Sequence, residues 1–204
     1  MNKHHSVIRR LSGWLLLSVL AACSSAPVHY HQLQAGLQGS EPAQAGAVVL
    51  VEAVSLPAGV DRPQLLLEAG NGQPQLLEQQ YWTASLSRLL TQAVAGNLAQ
   101  RLALSSVYAA PQLGLARADL TLQLDVRTFR LRRGQGAQLA AAWRLNRPGQ
   151  AAPLLQGYFD QQQAASSDDS TALVAAQQGL LDRLSKQIAT DLAAHAEWLR
   201  PAGP

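Results

Sequence analysis

Leu120, Leu122, Leu124 and Val126 fall on one parity, with Thr121, Gln123, Asp125 and Arg127 between them. A period of two marks a strand with one buried face. The apolar set then switches parity to Phe129 and Leu131, which predicts a bulge or sharp bend after Val126. Arg132-Arg133-Gly134-Gln135-Gly136 supplies a turn, and Ala137, Leu139, Ala141, Trp143 and Leu145 form the inward face of a return strand. A second turn over Asn146 to Gly149 leads into Leu154 to Gln163, completing an antiparallel meander of three strands.

Two stretches carry helical spacing instead. Leu86, Leu89, Leu90, Ala93, Val94, Leu98 and Leu102 make one stripe, predicting a helix from Thr83 or Ser85 to about Leu102. Leu173, Leu180, Leu181, Leu184, Ile188, Leu192 and Trp198 make the other, interrupted by Gln177, on a helix from Asp169 or Ser170 to about Leu199. Asp168 and Asp169 stand where the helix dipole favours acids. Earlier in the chain, Ala47 to Leu56 is a valine-rich, nearly continuous apolar run, as expected of a strand covered on both faces. Leu65 to Glu68 and Pro74 to Glu78 flank Asn71-Gly72, a hairpin signal. Together these elements predict an α+β domain over 47–200: one mixed, largely antiparallel sheet packed against two helices.

The beginning of the chain follows other rules. Lys3, Arg9 and Arg10 precede an apolar run from Leu11 to Leu20, which is too short to span a bilayer and has the form of a secretory signal. Leu20-Ala21-Ala22-Cys23 closes it and resembles a bacterial lipobox. On that reading residues 1–22 are a signal peptide, Cys23 receives the lipid, and 23–46 is a flexible tether rich in Ala, Gly, Gln, Ser and Pro. Within the tether, Val28 to Leu33 has the alternation of a short strand, and His29 and His31 would share one face. With no third ligand nearby, solvated or partner-facing histidines are expected there rather than a metal site.

Sixteen Lys and Arg stand against thirteen Asp and Glu, a formal charge of +3. Losing Lys3, Arg9 and Arg10 leaves thirteen against thirteen, so charge gives no reason to expect nucleic acid as a partner. Cys23 is the only cysteine, so the mature domain is expected to rest on its apolar core and not on disulfides. Asp61, Asp125 and His195 are scattered, and no phosphate loop, nucleophile elbow or metal motif accompanies them. The expectation is a protein without catalytic residues and without a cofactor.

Two clusters are candidate interfaces. Asp61-Arg62-Pro63-Gln64 forms a turn stiffened by proline, with Tyr81 and Trp82 ahead of the first helix. Trp82 suits either a core aromatic or a binding anchor, and Asp61 and Arg62 suit either a contact or local capping. Arg130, Arg132 and Arg133 gather at the meander turn, as a solvated tip or as an electrostatic contact with an acidic partner or anionic lipid.

The lipobox, Tyr30-His31-Gln32-Leu33, the V-E-A-V-S-L-P strand from Val51 to Pro57, Asp61-Arg62-Pro63-Gln64, Trp82, the D-L-T-L-Q-L-D-V-R-T-F strand from Asp119 to Phe129 and the W-R-L return strand occur together in this order. In this the chain resembles the PqiC (YmbA) family of ABC-type transport auxiliary lipoproteins. His31 is a departure, since many members of that family place a second tyrosine there. The resemblance implies a non-enzymatic lipoprotein anchored in the outer membrane and facing the periplasm. Its implied partners are a PqiB-like MCE-domain protein with its inner-membrane components, and further copies of itself. An assembly or pilotin-type lipoprotein for another outer-membrane complex is the alternative.

Overall fold

The computed structural model describes residues 26–36 and 44–201. The lipobox and Cys23 lie outside the described residues. In chain order the elements are β1 (His29–His31), β2 (Val49–Val51), β3 (Gln64–Glu68), β4 (Pro74–Trp82) and helix α1 (Leu86–Leu102). There follow β5 (Val107–Ala109), β6 (Leu120–Arg132), β7 (Gly136–Asn146), β8 (Leu155–Gln163), helix α2 (Ser170–Ala193) and a 3-10 turn (Ala196–Leu199). Among the described residues, no helix is long and apolar enough to cross a membrane.

β6 is the spine of an eight-stranded sheet. One edge of β6 pairs antiparallel with β7 along nearly its whole length, and β7 pairs with β8, forming the expected meander. The register slips between Val126 and Thr128, at the predicted change of parity, so Phe129 and Leu131 point inward with Leu120, Leu122, Leu124 and Val126. Two groups of strands share the other edge. β2 runs parallel beside Leu120 to Leu122 and carries β5, whereas β3 meets β6 at Arg132 and carries β4 and β1. Most paired residues are antiparallel, and the two helices lie side by side over the apolar face of the sheet.

The ladder of β2 is shorter than the apolar run that predicts it. Val49 and Val51 are fully buried, but the backbone of Val54 is captured by α1: its N–H donates to Thr91 Oγ1 at 3.0 Å, and its carbonyl accepts from Ser87 Oγ at 2.6 Å. Two threonine and serine hydroxyls thus replace the sheet as partners, and ladder contact resumes only at Ser55 opposite Asp125. The closing helix is also shorter than its stripe. It ends at Ala193, the chain turns at His195, and Trp198 and Leu199 fold back onto the core, where Leu199 C=O accepts from Ala47 N at 2.9 Å.

The largest departure concerns the expected tether. Val28 to Gly36 belongs to the folded domain, with β1 pairing parallel with the end of β4. Leu33 is 2 % exposed and His31 8 %, so this stretch is a strap seated on the body. His31 is therefore not solvated. Its Nε2 lies 2.6 Å from Gln80 Oε1 and its ring meets Trp82 edge-on, so this position does make an aromatic contact. His29 is exposed, and β1 does not present the two rings as a pair.

Beyond β1 the strap is held by side-chain amides. Gln178 on α2 takes both backbone groups of Gln34, accepting from its N–H at 3.0 Å and donating to its carbonyl at 2.7 Å. Gly36 N–H donates to Oδ1 of fully buried Asn97 at 2.7 Å, and Asn97 Nδ2 donates to Asp182 Oδ1 and Ser185 Oγ, both at 3.1 Å. A side chain at position 36 would run into the Asp182 carboxylate, which is itself bonded to Asn97 and Gln178. Glycine is needed for the close approach.

Candidate interface

The turn between β2 and β3 is built around Asp61. Ser85 precedes α1 but makes no side-chain cap. Asp61 Oδ1 supplies it from another loop, accepting from Leu86 N at 3.0 Å and Ser87 N at 3.4 Å. Arg62 does not pair with Asp61. Its Nε donates to Gly59 C=O at 2.8 Å, and its terminal nitrogens have no partner among the described residues. Pro63 C=O accepts from Trp82 N at 2.8 Å, which joins the turn to the end of β4, where Gln64 stands opposite Tyr81.

Trp82 is a core aromatic. It is 6 % exposed and meets Phe129 edge-on, ring centroids 6.2 Å apart. Only a rim of it reaches a depression of about 350 Å³ that it lines with Asp61, Arg62, Pro63, Ala84 and Ser85. Asp61, Arg62, Pro63 and Trp82 therefore converge, as their order in the chain suggested, around a helix N-terminus whose donors Asp61 already occupies. The depression offers a partner the free end of Arg62 and the edge of an indole.

The three arginines of the meander turn do not form one free cationic tip. Arg132 is pinned to Glu68 on β3 by two hydrogen bonds of 2.9 Å, from Nε and Nη2, and Arg130 Nε lies 3.5 Å from the same carboxylate. Of these three, only Arg133 has no side-chain partner among the described residues, and it is exposed. The Glu68 clasp has a structural reason: it closes the far end of the gap between the β2 and β3 groups. A cleft of about 290 Å³ lies in that gap, bordered by Pro57, Val60, Leu66, Thr128 and Arg130. Glu68 and Asp168 were the signals to read here. Asp168 Oδ1 accepts from Gly134 N at 2.6 Å, so one of the two expected helix-capping acids caps the hairpin turn instead.

Asp169 is the true cap of α2, accepting from Ala172 N at 2.9 Å. The Ser167 hydroxyl and that N–H hold its carboxyl below the ordinary carboxylate range. The remaining acids singled out by the sequence also have local partners. Asp125 lies 3.5 Å from Arg127, and His195 stacks on Trp198 with its Nδ1 3.6 Å from Glu197.

The described residues thus form an α+β body with a docked strap and an exposed arginine beside a capped helix. Residues 31–189 match the family described as the ABC-type transport auxiliary lipoprotein component, and the chain belongs to that family. Solved structures that share the fold include the following two. One, of an uncharacterized protein, is 21% identical with a TM-score of 0.61, covering 82% of this chain and 99% of that one. The other, a Xanthomonas campestris protein of the DUF330 family, is 19% identical with a TM-score of 0.63, covering 80% and 93%. None of the curated proteins matches the chain in sequence.

Proposed function

We propose that this protein is a non-enzymatic subunit of an MCE-type intermembrane lipid transport system, lipidated at Cys23 in the outer membrane and docking the periplasmic MCE-domain assembly to it. The observation that carries this reading is the family match, which spans the folded body from His31 to Ala189. Ser24, following the lipobox cysteine, suits export to the outer membrane. The role of a passive subunit is supported by the side chains that acid–base chemistry would need: Asp61 and Asp169 cap helices, Asp125 faces Arg127, and His195 packs on Trp198.

Arg62 is the residue expected to meet the partner, since its terminal nitrogens face outward while its Nε is fixed. The test is capture of the organism's own MCE-domain protein by the full-length lipoprotein in membranes. Arg62→Ala is expected to weaken capture with an unchanged melting temperature, and Cys23→Ser to remove the protein from the outer-membrane fraction. A folded, lipidated wild-type protein that captures no MCE-domain protein contradicts the transport assignment.

A further inference from the structure

Because the strap is part of the body, the chain between Cys23 and the fold is short. Val28 lies five residues after Cys23 and Tyr30 seven. Whatever path those residues take, five span at most about 18 Å and seven about 25 Å. A tether running to Ala47 would have allowed about 80 Å. The β1 edge of the domain is therefore the part held nearest any lipid on Cys23.

That edge has the chemistry of a membrane boundary. β1 is the outermost strand of its group, and Tyr30 is 68% exposed and Val28 49%. Tyr30 stands in register with Tyr81, ring centroids 6.1 Å apart, while the next pair, His31 and Trp82, turns into the core. Two neighbouring tyrosines present apolar ring faces with polar tips, the combination that settles at the headgroup level of bilayers. The opposite flank differs: β8 exposes Gln156, Asp160, Gln161 and Gln162, and the ring of its Tyr158 lies 5.8 Å from the Arg127 guanidinium carbon.

We propose that the β1–β4 edge, through Tyr30, Tyr81 and Val28, rests on the lipid surface in which the protein is anchored. The domain then stands on the membrane by this edge, with β8 pointing away from it. This rests on Cys23 being the lipidated residue. Five strand spacings, about 24 Å, separate β1 from β8 along the sheet.

Cys23 is the only native cysteine, so a second cysteine in the full-length lipoprotein can be labelled selectively once Cys23 is acylated. The protein, with exposed Gln79→Cys on β4 or exposed Gln162→Cys on β8, is reconstituted into phosphatidylcholine vesicles containing nitroxide-labelled lipid. The fluorophore at position 79 is expected to be quenched several-fold more strongly than that at 162. Adding Tyr30→Ser, an exposed change that leaves the core intact, should reduce the difference. Equal quenching at both positions overturns the proposal. So does a position-79 label shielded from aqueous iodide yet untouched by the lipid quencher, which would mean that a second copy or another protein covers the edge. Absence of an acylated Cys23 fragment by mass spectrometry overturns the lipoprotein reading, and this orientation with it.

Discussion

The β6–β7–β8 meander and the Val28–Gly36 strap are held to the same body by different means. β6 and β7 pair from Thr121 opposite Asn146 to Arg132 opposite Gly136, and their inward residues are almost wholly buried. The strap has a three-residue parallel pairing, two buried side chains in His31 and Leu33, and bonds to the amides of Gln178 and Asn97. Burial of large apolar area makes the meander insensitive to any one polar group. The strap depends on particular hydrogen bonds, and segments of that kind open first. Yet the strap decides how far the domain can travel from its anchor, so the less stable region carries the geometric constraint.

Substitutions should separate the two regions. Leu184→Ala removes a fully buried side chain of α2 from the common core and should cost about 2–5 kcal/mol, read as a lower midpoint in denaturant. A midpoint that does not move would show that α2 is not packed as described. Asn97→Ala strips partners from Asp182, Ser185 and the Gly36 amide and should cost about 1–3 kcal/mol. Its distinguishing sign is early proteolysis within the strap while the meander stays protected; uniform loss of protection would mean the two regions open as one.

Smaller effects are expected at the surface. Arg132→Ala breaks the Glu68 clasp and should cost about 1 kcal/mol, since both side chains are partly exposed and Arg130 remains nearby. A loss as large as that of Leu184→Ala would mean the gap between the strand groups is held mainly by this pair. The smallest effect concerns pH. The folded pKa of Asp169 is depressed, so its stabilisation of α2 is complete at neutral pH. It fades only as pH falls below about pH 4, through the folded value. Asp169→Ala should lower stability at pH 7 and flatten that acid limb; an unchanged acid limb would assign the limb to other carboxylates.

How far the sequence reveals each region follows from what holds it. In the meander, alternation and its parity switch reflect the same burial that forms the strands, so the bulge after Val126 could be read directly. The stripes of both helices were equally legible, except where Gln177 sits fully buried among leucines and where His195 turns Trp198 back. Strap docking was not legible, because its partners lie far along the chain: Gln34 with Gln178, Gly36 with Asn97. A Gly- and Gln-rich stretch reads as a linker when its bonds come from side chains on distant helices. In the candidate interface, the meeting of Asp61 with Trp82 was legible from their flanking elements. The pinning of Arg132 by Glu68 was not, because no local pattern pairs β3 with the end of β6.

The central claim, that Val28 to Gly36 is folded onto the body and leaves only a short leash to Cys23, is tested most directly by residue-resolved amide hydrogen exchange on the full-length protein. The amides of Gln34 and Gly36, which donate to Gln178 and Asn97, should exchange far more slowly than in an unstructured chain. Asn97→Ala should accelerate Gly36 while leaving the β6–β7 amides slow. Exchange of both strap amides at the unstructured rate, with β6 and β7 fully protected, would contradict the account and restore a tether reaching to Ala47.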